Sequence, residues 1–410
     1  MLLVLRDRAY RRLFASQVVS LTGTGLATVA LGLLAYDLAG GRAGVVLGTV
    51  FALKMLAYVA VAPVAAAVVH RLPSRAVLVG ADVVRVVVVL GLPLVSSVAQ
   101  VYALVLVLQA ASAVHTPAYQ AVVPRLVPDE LRYTQALSLS RLAEDLEMLL
   151  SPVLAAALLL VLPGQQLFLG TAAGFAVSAA VISRTRIPAG TAAAVQDADL
   201  PFGARVRRGA VLMVRTPALR AVLALDLAVA SAGAFALVQY VAVARDAFGG
   251  GARAAALLLA ALGAGSLTVA VLLPCVLARR PERAVVLGGV GALTLGTAAV
   301  AAGLTIRGTA GLAVVGALFA LVGAGWAAAE TPVGRVVARS VGQGEQPAVF
   351  AAQFSLSHAC WLVTYPLAGA LGTFGPGVAA LALAGLAAVA GTATAALWPR
   401  PASLTAVVAG

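Results

Sequence analysis

Charge is the scarcest feature of this sequence. Only 10% of its 410 residues are Asp, Glu, Lys or Arg, while 62% are hydrophobic. A typical soluble domain is roughly 25% charged and about 45–50% apolar. So few polar side chains cannot cover the surface of a water-soluble fold that contains this many apolar ones. The composition therefore excludes a soluble enzyme, a disordered chain and a nucleic-acid-binding protein.

Cysteine and histidine are also rare. Cys275 and Cys360 lie in apolar stretches without metal-ligand spacing, so we expect no disulfide framework, no zinc site and no cofactor. No Gly-x-x-x-x-Gly-Lys-Ser/Thr run occurs, which argues against a nucleotide-driven pump. A membrane-embedded enzyme would need a clustered nucleophile, base or metal set, and the histidines (His70, His115 and His358) show no such clustering.

Long apolar runs are abundant, and they predict an all-α membrane protein. A transmembrane helix needs about 20 mostly apolar residues, and Pro- and Gly-rich breaks separate about twelve such runs. The predicted spans are 12–36, 43–69, 76–97, 100–123, 134–162, 165–184, 218–245, 253–277, 284–305, 310–336, 347–371 and 374–398. The polar stretch 185–217 divides them into two six-helix bundles, residues 1–184 and 218–410, joined by a cytoplasmic linker.

The arginines predict the orientation. The net charge of +13 comes from 27 arginines and a single lysine, set against 15 acidic residues. If the N-terminus is cytoplasmic, 21 of the 27 arginines fall on cytoplasmic segments. This bias is what the positive-inside rule expects. We therefore expect a multi-pass protein of a bacterial-type cytoplasmic (inner) membrane with both termini in the cytoplasm.

The two halves of the chain resemble each other. Pro73–Val77 is similar to Pro281–Val285, and His115–Pro117 aligns with Glu330–Pro332. Such matches follow one another in order at an offset of 208 to 217 residues. Two like-oriented six-helix halves are a recurrent architecture of secondary transporters.

The loop between spans 2 and 3 carries Arg71 and Arg75, with His70 directly before them, and Asp82 and Arg85 follow in span 3. These residues match the signature Gly-x-Leu-Ala-Asp-Arg-x-x-x-Arg followed by Asp-x-x-Arg, approximately, with His70 in place of its aspartate. The chain therefore resembles the major facilitator superfamily, and its drug-efflux (drug:proton antiporter) branch in particular. The resemblance implies two pseudo-symmetric six-helix bundles that transport by alternating access. It also implies that these five residues form a cytoplasmic gate, which His70 weakens or makes pH-dependent.

Predicted span 5 carries the densest set of ionisable residues. Helical spacing pairs Arg141 with Asp145 and makes Glu144 and Glu147 neighbours. Ionisable residues at membrane depth usually mark a substrate path, a proton relay or a structural ion pair. Glu144 and Glu147 are therefore candidates for proton coupling or substrate binding, and the alternative is a local ion pair that locks span 5 to a neighbour.

Four further ionisable residues lie singly in other spans. Lys54 is in span 2, Asp226 in span 7, Glu330 in span 10 and His358 in span 11. Each is a candidate for proton coupling or substrate contact, and each could instead serve only to bridge helices. The acidic excess among these candidates favours a cationic or amphipathic cargo.

The leading hypothesis is a proton-coupled exporter of small organic solutes or drugs. Its expected partners are the substrate, protons and membrane lipids, without nucleic acid, and the expected state is a monomer. An alternative is efflux of a divalent metal ion of the nickel or cobalt type, for which the carboxylates and His358 are suitable ligand types. A membrane-embedded enzyme is the third hypothesis.

Overall fold

The computed structural model describes residues 2–69, 72–127, 153–187, 202–342 and 345–399, together with positions 129, 132, 136, 139, 140, 143, 147 and 151. Within these residues the chain is helical and contains no strand. Contacts divide the chain into a first unit, Met1–Asp199 with Gly249–Ala260, and a second unit, Leu200–Phe248 with Ala261–Gly410.

The first unit contains five long helices in its described part. They are α1 (Arg8–Ala39), α2 (Ala43–Val69), α3 (Ser74–Gly91), α4 (Val98–Leu126) and α5 (Leu167–Ser183). Helix α1 packs on α5, α2 on α4, and α3 on both α4 and α5. Residues 153–158 are also helical and belong to predicted span 5, most of which lies outside the described residues.

The second unit contains the most deeply buried of the candidate spans in the described part of the chain. Its elements are α6 (Phe202–Arg215), α7 (Pro217–Ala242), α8 (Ala252–Leu277), which begins in the first unit, α9 (Glu282–Gly303), α10 (Gly308–Glu330), α11 (Val333–Ser340), α12 (Gln346–Gly372) and α13 (Pro376–Leu397). The most apolar window of the α7 stretch is 78% buried, against 33–44% for the other candidate spans. Helices α12 and α13 both pack on α7. Polar groups on α7 are therefore shielded.

Nine helical stretches in the described part of the chain are long and apolar enough to cross a membrane. The first of them, Arg8–Val61, runs through two predicted spans, because only the 3-10 turn Gly40–Arg42 separates α1 from α2. Helix α12 adds 27 residues at predicted span 11. The helices thus coincide with the apolar runs from which the spans were predicted.

Capping groups and turn glycines set the helix ends. Asp7 accepts a hydrogen bond from the backbone N–H of Tyr10 at the start of α1 (2.8 Å), and Ser97 forms a reciprocal capping box with Gln100 at the start of α4. Gly40, with φ of +52°, ends α1 in a conformation that other residues rarely adopt. These local signals explain why the chain turns where it does.

The structure departs from the predicted element pattern at two places. Helix α6 lies within the stretch predicted as a linker, and it packs on α12. Predicted span 10 lies within the single candidate span Gly308–Val337, but its helix is interrupted at Thr331 and Pro332, since α10 ends at Glu330 and α11 begins at Val333. Proline lacks the N–H that would continue the helical hydrogen bonds.

Candidate functional site

A buried carboxylate lies at the centre of the second unit. Asp226, on α7, is only 3% exposed. Gln353 of α12 donates from Nε2 to its Oδ1 at 3.4 Å. The other oxygen, Oδ2, is buried and has no hydrogen-bond partner within the described part of the chain. Burying a carboxylate oxygen without a partner is costly, so this oxygen is a natural acceptor for a proton or a cation.

A second carboxylate faces the same region from α10. The indole Nε1 of Trp326 donates to Oε2 of Glu330 at 2.5 Å, across one turn of the same helix. Glu330 lies in the same unit as Asp226 and Tyr365 of α12, and its charge acts on both groups. Two carboxylates in such proximity repel each other when both are ionised, and a bound cation or proton would relieve that repulsion.

Trp326, which donates to Glu330, begins a row of three aromatic rings. The ring centroids of Trp326 and Trp361 are 5.2 Å apart, and those of Trp361 and Tyr365 are 5.0 Å apart. Gly233 of α7 makes room for the indoles, because a Cβ at this position would lie 3.1 Å from the Trp326 ring and closer still to Trp361.

We call Asp226, Glu330, Trp326, Trp361 and Tyr365 the acid–aromatic cluster. Negative charge attracts a cation, and the faces of aromatic rings add a favourable interaction with cationic groups. The rings also present apolar surface to an organic body. The cluster therefore has the chemistry to bind a small organic cation and to exchange it for protons.

A line of polar contacts in the first unit joins α1 to the predicted span 5. The Tyr10 hydroxyl donates to the carbonyl oxygen of Ala136 at 3.2 Å. Further along, the Ser140 hydroxyl donates to Oε1 of Gln17 at 3.1 Å. Helix packing between α1 and this segment is thus partly polar.

Glu147 continues this line, half-buried beside Gly25 of α1. A Cβ added to Gly25 would lie 3.0 Å from Oε1 of Glu147 and would collide with the side chain of Ser151. The absence of a side chain at Gly25 thus allows the carboxylate to approach the α1 backbone.

The first unit also encloses an ion cluster formed by three helices. Arg85 donates to Oδ1 of Asp82, one turn before it on α3, and both side chains are buried. Nε2 of His115, on α4, lies 3.8 Å from the same Oδ1. The Arg85 guanidinium carbon is 4.4 Å from the centroid of the Phe175 ring on α5. This geometry identifies a buried, intra-unit ion pair with a cation–π contact.

The structure brings together only some of the residues singled out from the sequence. Asp226 and Glu330 share one site, and Asp82 and Arg85 share another. Arg75 is exposed in the first turn of α3, and Lys54 is half-buried on α2. His70, Arg71 and Glu144, with Arg141 and Asp145, lie outside the described residues.

His358 is half-buried on α12, and its described contacts lie along its own helix. Its Nδ1 is 2.7 Å from the carbonyl oxygen of Phe354, and its ring centroid is 3.9 Å from that of Phe354. These contacts do not place it with the two acids.

Sequence reasoning did not single out Trp326 or Tyr365, and it did not pair His115 with Asp82. Trp326 precedes Glu330 by one helical turn, and Tyr365 follows Trp361 by one turn. This i, i+4 spacing was therefore available as a signal.

In the described residues, no three His, Cys, Asp or Glu side chains gather into a group that could hold a metal ion.

Solved structures similar to this chain are membrane transporters. The nucleoside transporter NupG aligns with a TM-score of 0.76 at 12% identity, over 96% of this chain and 100% of that one. A bacterial homologue of the human lysosomal transporter Spinster, in an inward-facing and occupied conformation, gives a TM-score of 0.70 at 14% identity and covers 96% of both chains. A POT family transporter gives 0.68 at 13% identity, over 94% of this chain and 95% of that one.

At these identities the similarity shows the fold, which is the two-bundle architecture expected from the sequence. No curated protein sequence matches the chain. The Major Facilitator Superfamily profile matches residues 13–365, which is most of the sequence. Together with the membrane-spanning helices, this match shows that the chain is a multi-pass membrane transporter, rather than an enzyme, and belongs to the Major Facilitator Superfamily.

Proposed function

We propose that this transporter is a proton-coupled exporter of small organic cations or cationic amphipathic solutes, of the drug-efflux kind. The observation that carries the proposal is the buried, unpartnered Oδ2 of Asp226, which lies near Glu330. Trp326 donates to Glu330, and Trp361 and Tyr365 continue from it as a row of rings. An apolar cation would satisfy both the carboxylates and the rings.

Proton coupling follows from competition for the same oxygens. A proton on Asp226 or Glu330 removes the charge that holds the cation, so proton binding and cargo binding exclude each other. A ligand shifts a conformational equilibrium by its differential affinity for the two states. Exchange of a cation for protons at one site is therefore sufficient to couple the two fluxes in a protein that alternates its access.

Glu147 is proposed as a second proton-carrying group, in the first unit. Its carboxylate lies against the α1 backbone at Gly25, inside the predicted span 5.

The proposed setting is a bacterial-type cytoplasmic membrane with both termini in the cytoplasm, as the arginine distribution indicates. The proposed transporting unit is a monomer.

The test is transport by the purified protein in proteoliposomes with an imposed pH gradient. The candidate cargoes are tetraphenylphosphonium, uridine and a dipeptide, the last two chosen because structural neighbours are described as nucleoside and peptide transporters. We expect gradient-driven movement of tetraphenylphosphonium alone. Movement of uridine or the dipeptide alone would overturn the cation assignment, and movement indifferent to the gradient would overturn proton coupling.

The matched variants are Asp226→Asn and Asp246→Asn. Asp226→Asn keeps the shape of the buried side chain but removes its charge, so we expect loss of tetraphenylphosphonium transport. Asp246 is exposed beyond the end of α7, so Asp246→Asn should transport as the wild type does. Equal transport by the two variants would contradict a role of the Asp226 charge.

A further inference from the structure

Helix α6 is an amphipathic, strongly basic helix outside the membrane spans. It contains Arg205, Arg207, Arg208 and Arg215 among 14 residues, and it has no acidic residue. It is not among the stretches apolar enough to cross a membrane. Its composition instead matches helices that lie in the membrane–water interface.

The position of α6 in the chain holds it at the membrane surface. Only Thr216, in an extended conformation, separates the end of α6 from Pro217, where α7 begins. The stretch Pro217–Ala247 is long and apolar enough to span the bilayer. The C-terminal end of α6 is therefore within one residue of the point at which the chain enters a membrane-spanning helix.

One face of α6 is packed against protein and the opposite face is not. Met213 is fully buried, and α6 packs on α12. Val211 and Val214 are 40% and 58% exposed, and Arg208 and Arg215 are exposed beside them. At 100° per residue these four positions share one side of the helix, so apolar and basic side chains alternate there.

The positive charge of this face is only partly compensated. Glu345 lies 3.6 Å from Arg208, but that arginine side chain remains 60% exposed. No ion pair is described for Arg215. A face that carries exposed guanidinium groups around exposed valines is complementary to anionic headgroups above an acyl layer.

We propose that the exposed face of α6 binds anionic phospholipid headgroups, with Val211 and Val214 inserted at the headgroup–acyl boundary and Arg208 and Arg215 bound to phosphate. The occupant is the lipid of the adjacent leaflet. This proposal rests on the membrane-spanning fold and is independent of the cargo.

The experiment is amide hydrogen exchange across 202–215 in the full-length protein. The protein is reconstituted into vesicles of phosphatidylcholine alone or of phosphatidylcholine with phosphatidylglycerol. Each arginine near an anionic surface contributes about a five-fold effect, so we expect exchange up to about twenty-five-fold slower with phosphatidylglycerol at low ionic strength. Added salt should reduce the difference, because it screens exposed charges.

The matched variants are Arg208→Gln/Arg215→Gln and Arg253→Gln/Arg307→Gln, which change the net charge equally. Arg253 and Arg307 are exposed and lie outside α6. The first pair should abolish the lipid dependence of exchange and the second pair should retain it, while exchange in α13 reports that both proteins are folded. Equal exchange of wild-type α6 in the two lipids, or equal losses in the two double variants, would overturn the proposal.

Discussion

Individual charged residues inside the apolar core of this transporter fall into two chemical situations. Asp82 is ion-paired through Oδ1 with Arg85 on its own helix, whose guanidinium also contacts Phe175, although its Oδ2 has no described hydrogen-bond partner. Asp226 has a polar neighbour, Gln353, but no described cation. The first carboxylate is consequently suited to hold structure, and the second is suited to accept a mobile charge.

The buried ion pair leads to a prediction about stability. Asp82→Asn leaves the Arg85 guanidinium buried without its counter-ion, so we expect a loss of about 3–5 kcal/mol in the free energy of unfolding. Thermal unfolding in detergent, followed by tryptophan fluorescence, measures the effect as a lowered midpoint.

The double variant Asp82→Asn/Arg85→Gln is the control for this prediction. It removes both charges, so it should be more stable than Asp82→Asn alone. A double variant whose loss equals the sum of the two single losses would show that the pair does not interact.

At the scale of the elements, glycine decides how closely helices approach. A Cβ at Gly325 of α10 would lie 2.5 Å from the backbone nitrogen of Leu293 and 2.6 Å from the carbonyl oxygen of Gly289, both on α9. The two backbones are thus in direct contact, which is how small residues support helix association in membranes. The Trp326 and Glu330 side chains follow on the same helix, so this contact also positions the site.

Gly325→Ala should therefore destabilise the second unit. The added methyl group must push α10 away from α9, and overpacking of this kind costs about 1–3 kcal/mol. The lowered midpoint of thermal unfolding is the measurement.

Gly316→Ala is the matched control on the same helix, because a Cβ at that position meets nothing within 4 Å. It should be neutral or slightly stabilising, since alanine is the better helix former. Equal midpoints for the two variants would contradict the close contact of α9 and α10.

Two segments that align between the halves of the sequence adopt different local structures. His115–Pro117 lies inside the continuous helix α4, whereas Glu330–Pro332 ends α10. Nevertheless, the first residue of each triplet joins a buried polar group of its own unit, Asp82 or Asp226. The two aligned segments thus have a different local structure and a different buried partner in each unit.

At the scale of the whole molecule, the alkylation rates of the two cysteines can be used to detect cargo binding. Cys360, half-buried on α12, interacts electrostatically with Asp226, whereas Cys275 is exposed on α8. If cargo occupies the acid–aromatic cluster, tetraphenylphosphonium should slow maleimide alkylation of Cys360 several-fold.

Cys275→Ser isolates the reaction of Cys360, and Cys360→Ser isolates that of Cys275. Alkylation of Cys275 should not respond to tetraphenylphosphonium, and Asp226→Asn should abolish the protection of Cys360. Equal responses of the two cysteines would argue against binding at the cluster.

The sequence by itself determined the membrane-spanning, all-helical architecture and the transporter family. These properties depend on apolar run length and on local turn and capping residues, which are properties of consecutive positions. Asp226 and Glu330 were also identified from the sequence alone, because an ionisable side chain in an apolar run is conspicuous wherever its partners lie.

Only the tertiary structure decided which of these residues act together. Asp226 and Glu330 are more than 100 positions apart in the sequence, and the packing of α10 and α12 against α7 brings them into one unit. The same packing brings Trp326 and Trp361 into contact and places His115 beside Asp82. Helix–helix contact depends on how each helix is rotated about its axis and on how closely the helices approach. Glycines such as Gly233 and Gly325 permit the close approach. The spacing of residues along the sequence does not specify these contacts.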